Sequence, residues 1–269
     1  VTWQMVENFL AGGAAINVLA RHAGASLAVV DMGVDYDFPP NTALIDGKIA
    51  KGTKNFTQGP AMSREEAARA IIFGAALAQG AVEEGYSIIG AGEMGIGNTT
   101  SASAILASFS GLHPSEVVGR GTGVDEEGLR RKAAAVQKAL EVNRPDPADP
   151  LDVLAKVGGF EIAGMAGIYL GAASRGAIAV ADGFISTSAA LVAVRLCPAL
   201  EDYLFLAHVS EERGHARMLE LFKNRAILDL GMRLGEGTGA ALAFGVIEAG
   251  AKILSEMATF SEAGVSGKE

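Results

Sequence analysis

Residues Tyr86–Leu106, YSIIGAGEMGIGNTTSASAIL, read as a strand, a glycine-dense turn and a helix start in one stretch. The apolar run from Tyr86 to Ile89 has the length and β-branched content of a buried parallel strand. It empties into a turn carrying Gly90, Gly92, Gly95 and Gly97, after which Asn98, Thr99 and Thr100 offer N-cap chemistry to a helix rich in Ala and Ile. A strand running through exposed backbone into a helix N-terminus is the unit of an open α/β sheet, and its turn suits an anion or a nucleotide. Glu93 stands in the middle of that turn. A carboxylate is unsuited to cradling phosphate, so Glu93 is expected to meet another part of a ligand.

The same unit recurs on either side. Ser26–Val30 ends at Asp31 and Ala177–Val180 at Asp182, the carboxyl-terminal strand ends where open sheets bind ligands. Asp31 and Asp35 are therefore site-edge candidates, with solvated loop carboxylates the commoner reading for Asp35 and Asp37. Leu204–Ala207 leads through His208 into a helix start at Ser210–His215. Leu228–Leu230 leads into GMRLGEGTG, Gly231–Gly239, and a helix from Ala240 to Met257. Between the strands lie helical stretches. Ser63 with Glu66 is a capping box, Asp125 can cap the helix that holds Lys132, and Gly24 is a plausible stop for the opening helix. NRPDPADP, 143–150, is a rigid linker between helices, and 39–62 is a long irregular connection, equally readable as a functional loop or a surface excursion. Strands alternating with helices of about 10–20 residues indicate an α/β fold with a doubly wound parallel sheet flanked by helices. One domain over 1–269 is expected, with the chain ends, about 1–22 and 240–260, forming a small helical subdomain.

A formal charge of −9 argues against nucleic acid or an anionic membrane as the main partner, while leaving room for a small anionic substrate at a local basic cluster. The single cysteine, Cys197, excludes an intramolecular disulfide and reads as a small buried hydrophobe, in keeping with a reducing, cytoplasmic setting. No stretch reaches the ~18–20 uncharged apolar residues of a membrane span, and the opening VTWQMVENFLAGG lacks the order of a signal peptide. That opening has no initiator Met and already looks helical, as a fragment of a longer protein would.

Three chemistries compete. Gly90-x-Gly92-x-x-Gly95 matches the letters of a dinucleotide fingerprint, but 35 glycines make chance matches easy and no acid ends a second strand ~20 residues on. The four histidines show no metal-ligand spacing, and no Ser-His-Asp order stands out. Glu93 and Glu236, each in a glycine turn, are the better clue. Glycine neighbours let a substrate approach and leave the carboxylate reachable for general-base work. Each could equally cap a helix N-terminus, where negative charge is favoured by roughly 0.3–1 kcal/mol. Spacing alone leaves the two readings even.

GEMGIGNTTSASA (92–104), KVGGFEIAGMAG (156–167), ADGFISTSAAL (181–191), LGMRLGEGTGAALA (230–243) and the opening VTWQMVENFLAGGAAINVLA resemble, in order and over essentially the whole chain, the nicotinate-nucleotide–dimethylbenzimidazole phosphoribosyltransferases. The resemblance implies a doubly wound sheet with a small helical part, a homodimer, and no cofactor or metal. It implies transfer of the ribosyl phosphate of nicotinate mononucleotide to 5,6-dimethylbenzimidazole in cobalamin lower-ligand assembly, giving α-ribazole 5′-phosphate and nicotinate with inversion at the anomeric carbon. By matching motifs, Glu236 would be the base, with Glu93, Met94, Gly95 and Leu234 around the acceptor ring. Gly121, Lys132, Ser210, Gly214 and Arg233 would lie at the phosphate and Asp182 toward the ribose. Family members carry a region before VTWQM that contributes to the base pocket, which this chain is expected to lack. An inactive fragment or a Rossmann-type nucleotide-binding module is the alternative.

Overall fold

The computed structural model describes residues 1–39, 43–119, 121 and 125–266. The chain opens with two short helices, α1 (Thr2–Leu10) and α2 (Ala15–Ala23). Gly12, at φ 78°, separates them, and Gly24, at φ 66°, ends the second in the left-handed conformation expected of a C-cap. Then follow β1 (Val29–Asp31), β2 (Leu44–Asp46), α3 (Arg64–Glu83), β3 (Ile88–Ala91), α4 (Thr99–Ser110), α5 (Pro114–Val117), α6 (Glu126–Asn143), α7 (Pro150–Val157) and α8 (Phe160–Ser174). The second half runs β4 (Ile178–Ala181), α9 (Phe184–Leu196), a 3-10 turn at Pro198–Tyr203, β5 (Leu204–Leu206), β6 (His208–Ser210), α10 (Arg213–Leu219), β7 (Leu228–Met232) and α11 (Thr238–Glu256).

Every strand pairing among the described residues is parallel, and each strand is three to five residues long. β4 lies between β3 and β5, and β6 pairs with β7. Ala207 interrupts one strand between β5 and β6 without breaking the ladder. Its N–H donates to Ala181 O at 2.8 Å, and its carbonyl accepts Leu228 N–H at 2.9 Å. Hydrogen bonding is thus continuous from β3 through β4 to β7, while β1 and β2 form their own pair. Helices flank this sheet, as the strand–helix alternation requires.

Small residues set how closely the layers meet. α3 crosses α8 at Gly74, Gly164, Gly167 and Gly171, where a Cβ on Gly74, Gly167 or Gly171 would collide with backbone of the facing helix. α8 and α9 supply most of the core, including fully buried Ile162, Tyr169 and Leu191. The Tyr169 hydroxyl meets Ser186 Oγ at 2.5 Å. The Ser63–Glu66 capping box forms both of its hydrogen bonds, at 3.1 and 2.8 Å, and Asp125 caps α6 through Gly128 N–H at 2.7 Å.

Two sequence expectations differ from the structure. Cys197 is exposed at the end of α9, because Pro198 stops the helix and turns the chain outward before the thiol can be buried. Asp31 is buried, 2.6 Å from Lys48 Nζ, and accepts from Gly33 and Val34 N–H, so it organises the 31–48 loop from inside. α11 is long and apolar enough in composition to cross a membrane. Its first three turns are nonetheless packed on the sheet, through Ala240, Ala243 and Ile247 with Val180 and Ala207. On its other side Ala241 joins Phe9, Ala14 and Ile16 of the opening helices in a separate cluster.

Candidate functional site

The two glycine turns singled out in the sequence meet backbone to backbone. Glu236 N–H donates to Glu93 O at 2.6 Å. A Cβ on Gly92 would overlap Gly237, and one on Gly235 would lie 3.0 Å from Glu93 O. Glycine is required at Gly92 for that contact and at Gly95, Gly97, Gly235 and Gly237 for positive φ. Glu236 itself adopts φ 63°, one of two non-glycine residues in the left-handed region among those described. Such a conformation costs roughly 1–3 kcal/mol and persists only where the surroundings enforce it.

The two carboxylates are held differently. Glu93 Oε2 accepts from Gly95 N–H at 2.5 Å and Asn98 Nδ2 at 2.7 Å. Burial pushes its pKa up to about 7 against those two hydrogen bonds, with Glu161 and Asp182 adding like-charge repulsion. Glu161 is also raised by burial. Asn98 was expected as the cap of α4; it sits at that position, but its side chain serves Glu93 instead. Glu236 Oε2 accepts from Ile16 N–H at 3.1 Å, at the start of α2, and its Oε1 has no partner among the described residues. Met94, one residue past Glu93, packs against the cluster of Phe9, Ala14, Ile16 and Ala241. Leu234 is 54% exposed on the same turn.

One segment joins these acids to a basic end. Thr99, next to Asn98, accepts at Oγ1 from Lys132 Nζ at 2.6 Å, and Lys132 also donates to Gly119 O at 3.2 Å. Gly121, at φ 54°, lies against both Thr99 and Lys132. Burial lowers the Lys132 pKa, opposed by Glu212. Arg213 and Arg233 line a cleft of about 590 Å³ together with Glu126, Glu211 and Glu212, and Arg233 makes no ion pair with a described residue. The glycine-rich turn read at 116–123 lies partly outside the described residues, at Arg120, Thr122 and Gly123.

Ser210 and Gly214 bound the loop at this cleft. Ser210 N–H donates to His215 Nδ1 at 2.8 Å, and His215 Nε2 meets Thr187 Oγ1 at 3.0 Å. Burial drives the His215 pKa down to about 3, so the ring is neutral, with Nδ1 accepting and Nε2–H donating. Gly214 is buried where a Cβ would strike Val117 O and the Phe184 ring. Asp182 is 1% exposed, with both oxygens taken: Oδ2 by Gly237 N–H at 3.1 Å and Oδ1 by Ala240 N–H at 3.0 Å. At that burial it presents no exposed oxygen to a ribose hydroxyl. Sequence reasoning gave Asn98 and Thr99 a capping role only, and missed Ile16 and His215, whose partners Glu236 and Thr187 lie 220 and 28 residues away. No group of three or more His, Cys, Asp or Glu among the described residues has the geometry to hold a metal ion.

A parallel α/β fold with apposed carboxylate turns, linked through Thr99 to Lys132, fits group transfer on a phosphorylated small molecule, and the family model described as "Phosphoribosyltransferase" matches residues 1–265. A Geobacter metallireducens nicotinate-nucleotide–dimethylbenzimidazole phosphoribosyltransferase is 59% identical over 98% of this chain and 75% of its own length. The Chlorobaculum tepidum protein of that name is 56% identical over 100% and 76%. The crystal structure of CobT from Thermus thermophilus superposes with a TM-score of 0.94 at 51% identity, over 99% of this chain and 80% of that one. The chain belongs to the nicotinate-nucleotide–dimethylbenzimidazole phosphoribosyltransferase family.

Proposed function

We propose that this chain transfers the ribosyl phosphate of nicotinate mononucleotide to 5,6-dimethylbenzimidazole, with Glu236 as general base. The observation that carries the reading is the placement of Glu236. It is forced into the left-handed region, anchored through one oxygen to Ile16 N–H, and keeps the other oxygen for a ligand. One benzimidazole nitrogen attacks the anomeric carbon as the bond to the nicotinate nitrogen breaks. The departing electron pair neutralises the pyridinium, and the N–H proton of the acceptor passes to Glu236. Attack opposite the leaving group inverts the anomeric centre. Because the leaving group is already cationic, proton removal from the acceptor is the step that asks most of the protein.

Met94, Gly95 and Leu234 would flank the acceptor ring, and Glu93 would face its other side. Lys132, Gly121, Arg233, Ser210 and Gly214 would form or support the phosphate end, where charge-assisted hydrogen bonds are strongest. The sheet is Rossmann-like in layout, the site of action is the cytoplasm, and the active species is a homodimer. The apolar residues Val246, Ile253 and Leu254, exposed on α11, support the last point. The reading is tested by incubating the chain with nicotinate mononucleotide and following nicotinate. Release that requires 5,6-dimethylbenzimidazole is expected; base-independent release, or none, would contradict it.

A further inference from the structure

We propose that Asp182 is a positioning residue for the general base, acting as an N-cap supplied in trans to the helix that follows Glu236. The inference rests on the function proposed above for Glu236. α11 begins after Gly237, which has no side chain with which to cap it. Helix N-termini leave backbone N–H groups unpaired, and the nearest local acceptor for them is the preceding residue, Glu236. Were Glu236 to turn inward and cap its own helix, its carboxylate would be lost to the site.

Asp182 takes that task from the end of β4, 55 and 58 residues earlier in the chain than the two groups it caps. Its two oxygens accept from Gly237 and Ala240 N–H at 3.1 and 3.0 Å. Its own N–H donates to Ser186 Oγ at 2.8 Å, and that hydroxyl donates in turn to Ala91 O at 2.8 Å, where the Glu93 turn begins. His208 from β6 closes the back of the pocket, with Nε2 3.8 Å from Asp182 Oδ1. A Cβ on Gly239 would collide with the His208 ring, so the helix start is pressed directly onto this pair. The carboxylate therefore fixes the first turn of α11, and the residue just before Gly237, Glu236, is left facing the ligand in its left-handed conformation. Asp182 touches no reacting atom in this account.

Asp182→Asn keeps the volume and one acceptor but turns an N–H toward one of the two backbone donors. Amide hydrogen exchange over 232–243 is expected to speed up about tenfold or more in that variant, with exchange elsewhere unchanged. In steady state, kcat for nicotinate release is expected to fall at least tenfold with KM for nicotinate mononucleotide within about threefold. Because Asp182 acts through Glu236, the same substitution in a Glu236→Gln background should lower kcat little further. Unchanged exchange, or an equal fractional loss of kcat in both backgrounds, would overturn the proposal. Asp182→Ser, whose single hydroxyl oxygen replaces two acceptors and leaves one of the backbone donors unpaired, carries both measurements in the same directions if the Asn variant fails to fold. Faster exchange in a chain whose wild type releases no nicotinate would leave the cap standing and remove the assigned reaction instead.

Discussion

At the scale of single residues, the site is built from side chains held against their ordinary preferences. Glu236 occupies a conformation that glycine adopts freely. Glu236→Gly is therefore expected to melt no more than a few degrees from the wild type in a thermal scan while losing base-dependent turnover, since relief of backbone strain offsets the lost bond to Ile16. Glu93 is held up to about 7 by burial. The folded chain then binds a proton there that the unfolded chain has released, so this group's contribution to stability falls as pH rises from about 4.5 to about 7 and is level above. Denaturant unfolding at pH 5 and pH 8 should show Glu93→Gln gaining on the wild type across that window. A constant difference between the two proteins would contradict the raised pKa. Of these residues, both acids were legible in the sequence because glycine turns advertise them. What each does was not, since Glu236 bonds the first turn of α2 through Ile16 N–H, 220 residues away, while Asp182 takes the N-terminus of α11.

At the scale of elements, local rules were readable and distant ones were not. Ser63 with Glu66 and Asp125 with Gly128 are three residues apart, so the sequence carries both partners of each cap. The strand ends with Asp31 and Asp182 looked alike, yet one salt-bridges Lys48 and the other caps a helix, because their fates depend on what packs over them. The contact of α3 with α8 gives a sharper test. Gly167→Ala would drive a methyl into Ile71 O, and overpacking of this kind costs about 1–3 kcal/mol. Gly80→Ala, on α3 with open space around it, should be neutral or raise the melting temperature. Thermal scans of the two variants side by side check this; equal effects would mean the helices are less closely packed than described.

At the scale of the molecule, a sheet of short parallel strands brings two turns far apart in sequence, at Glu93 and Glu236, into backbone contact, and the 93–99 segment joins them to Lys132. The fold class was legible from the alternation of apolar strands and small-residue helices. The apposition of turns was not, because it follows from the crossover order of the strands and from where Gly92 and Gly237 can touch. The arrangement proposed above is a carboxylate base beside an acceptor pocket, with a phosphate end close by. The most direct test is the turnover of Glu236→Gln against the wild type, with binding of nicotinate mononucleotide measured on the same preparations. The amide keeps an acceptor for Ile16 N–H but cannot take the proton. A loss of about 10²-fold or more in kcat with affinity retained is predicted, the scale of general-base removal. Turnover within a few-fold of the wild type would take the base role away from Glu236.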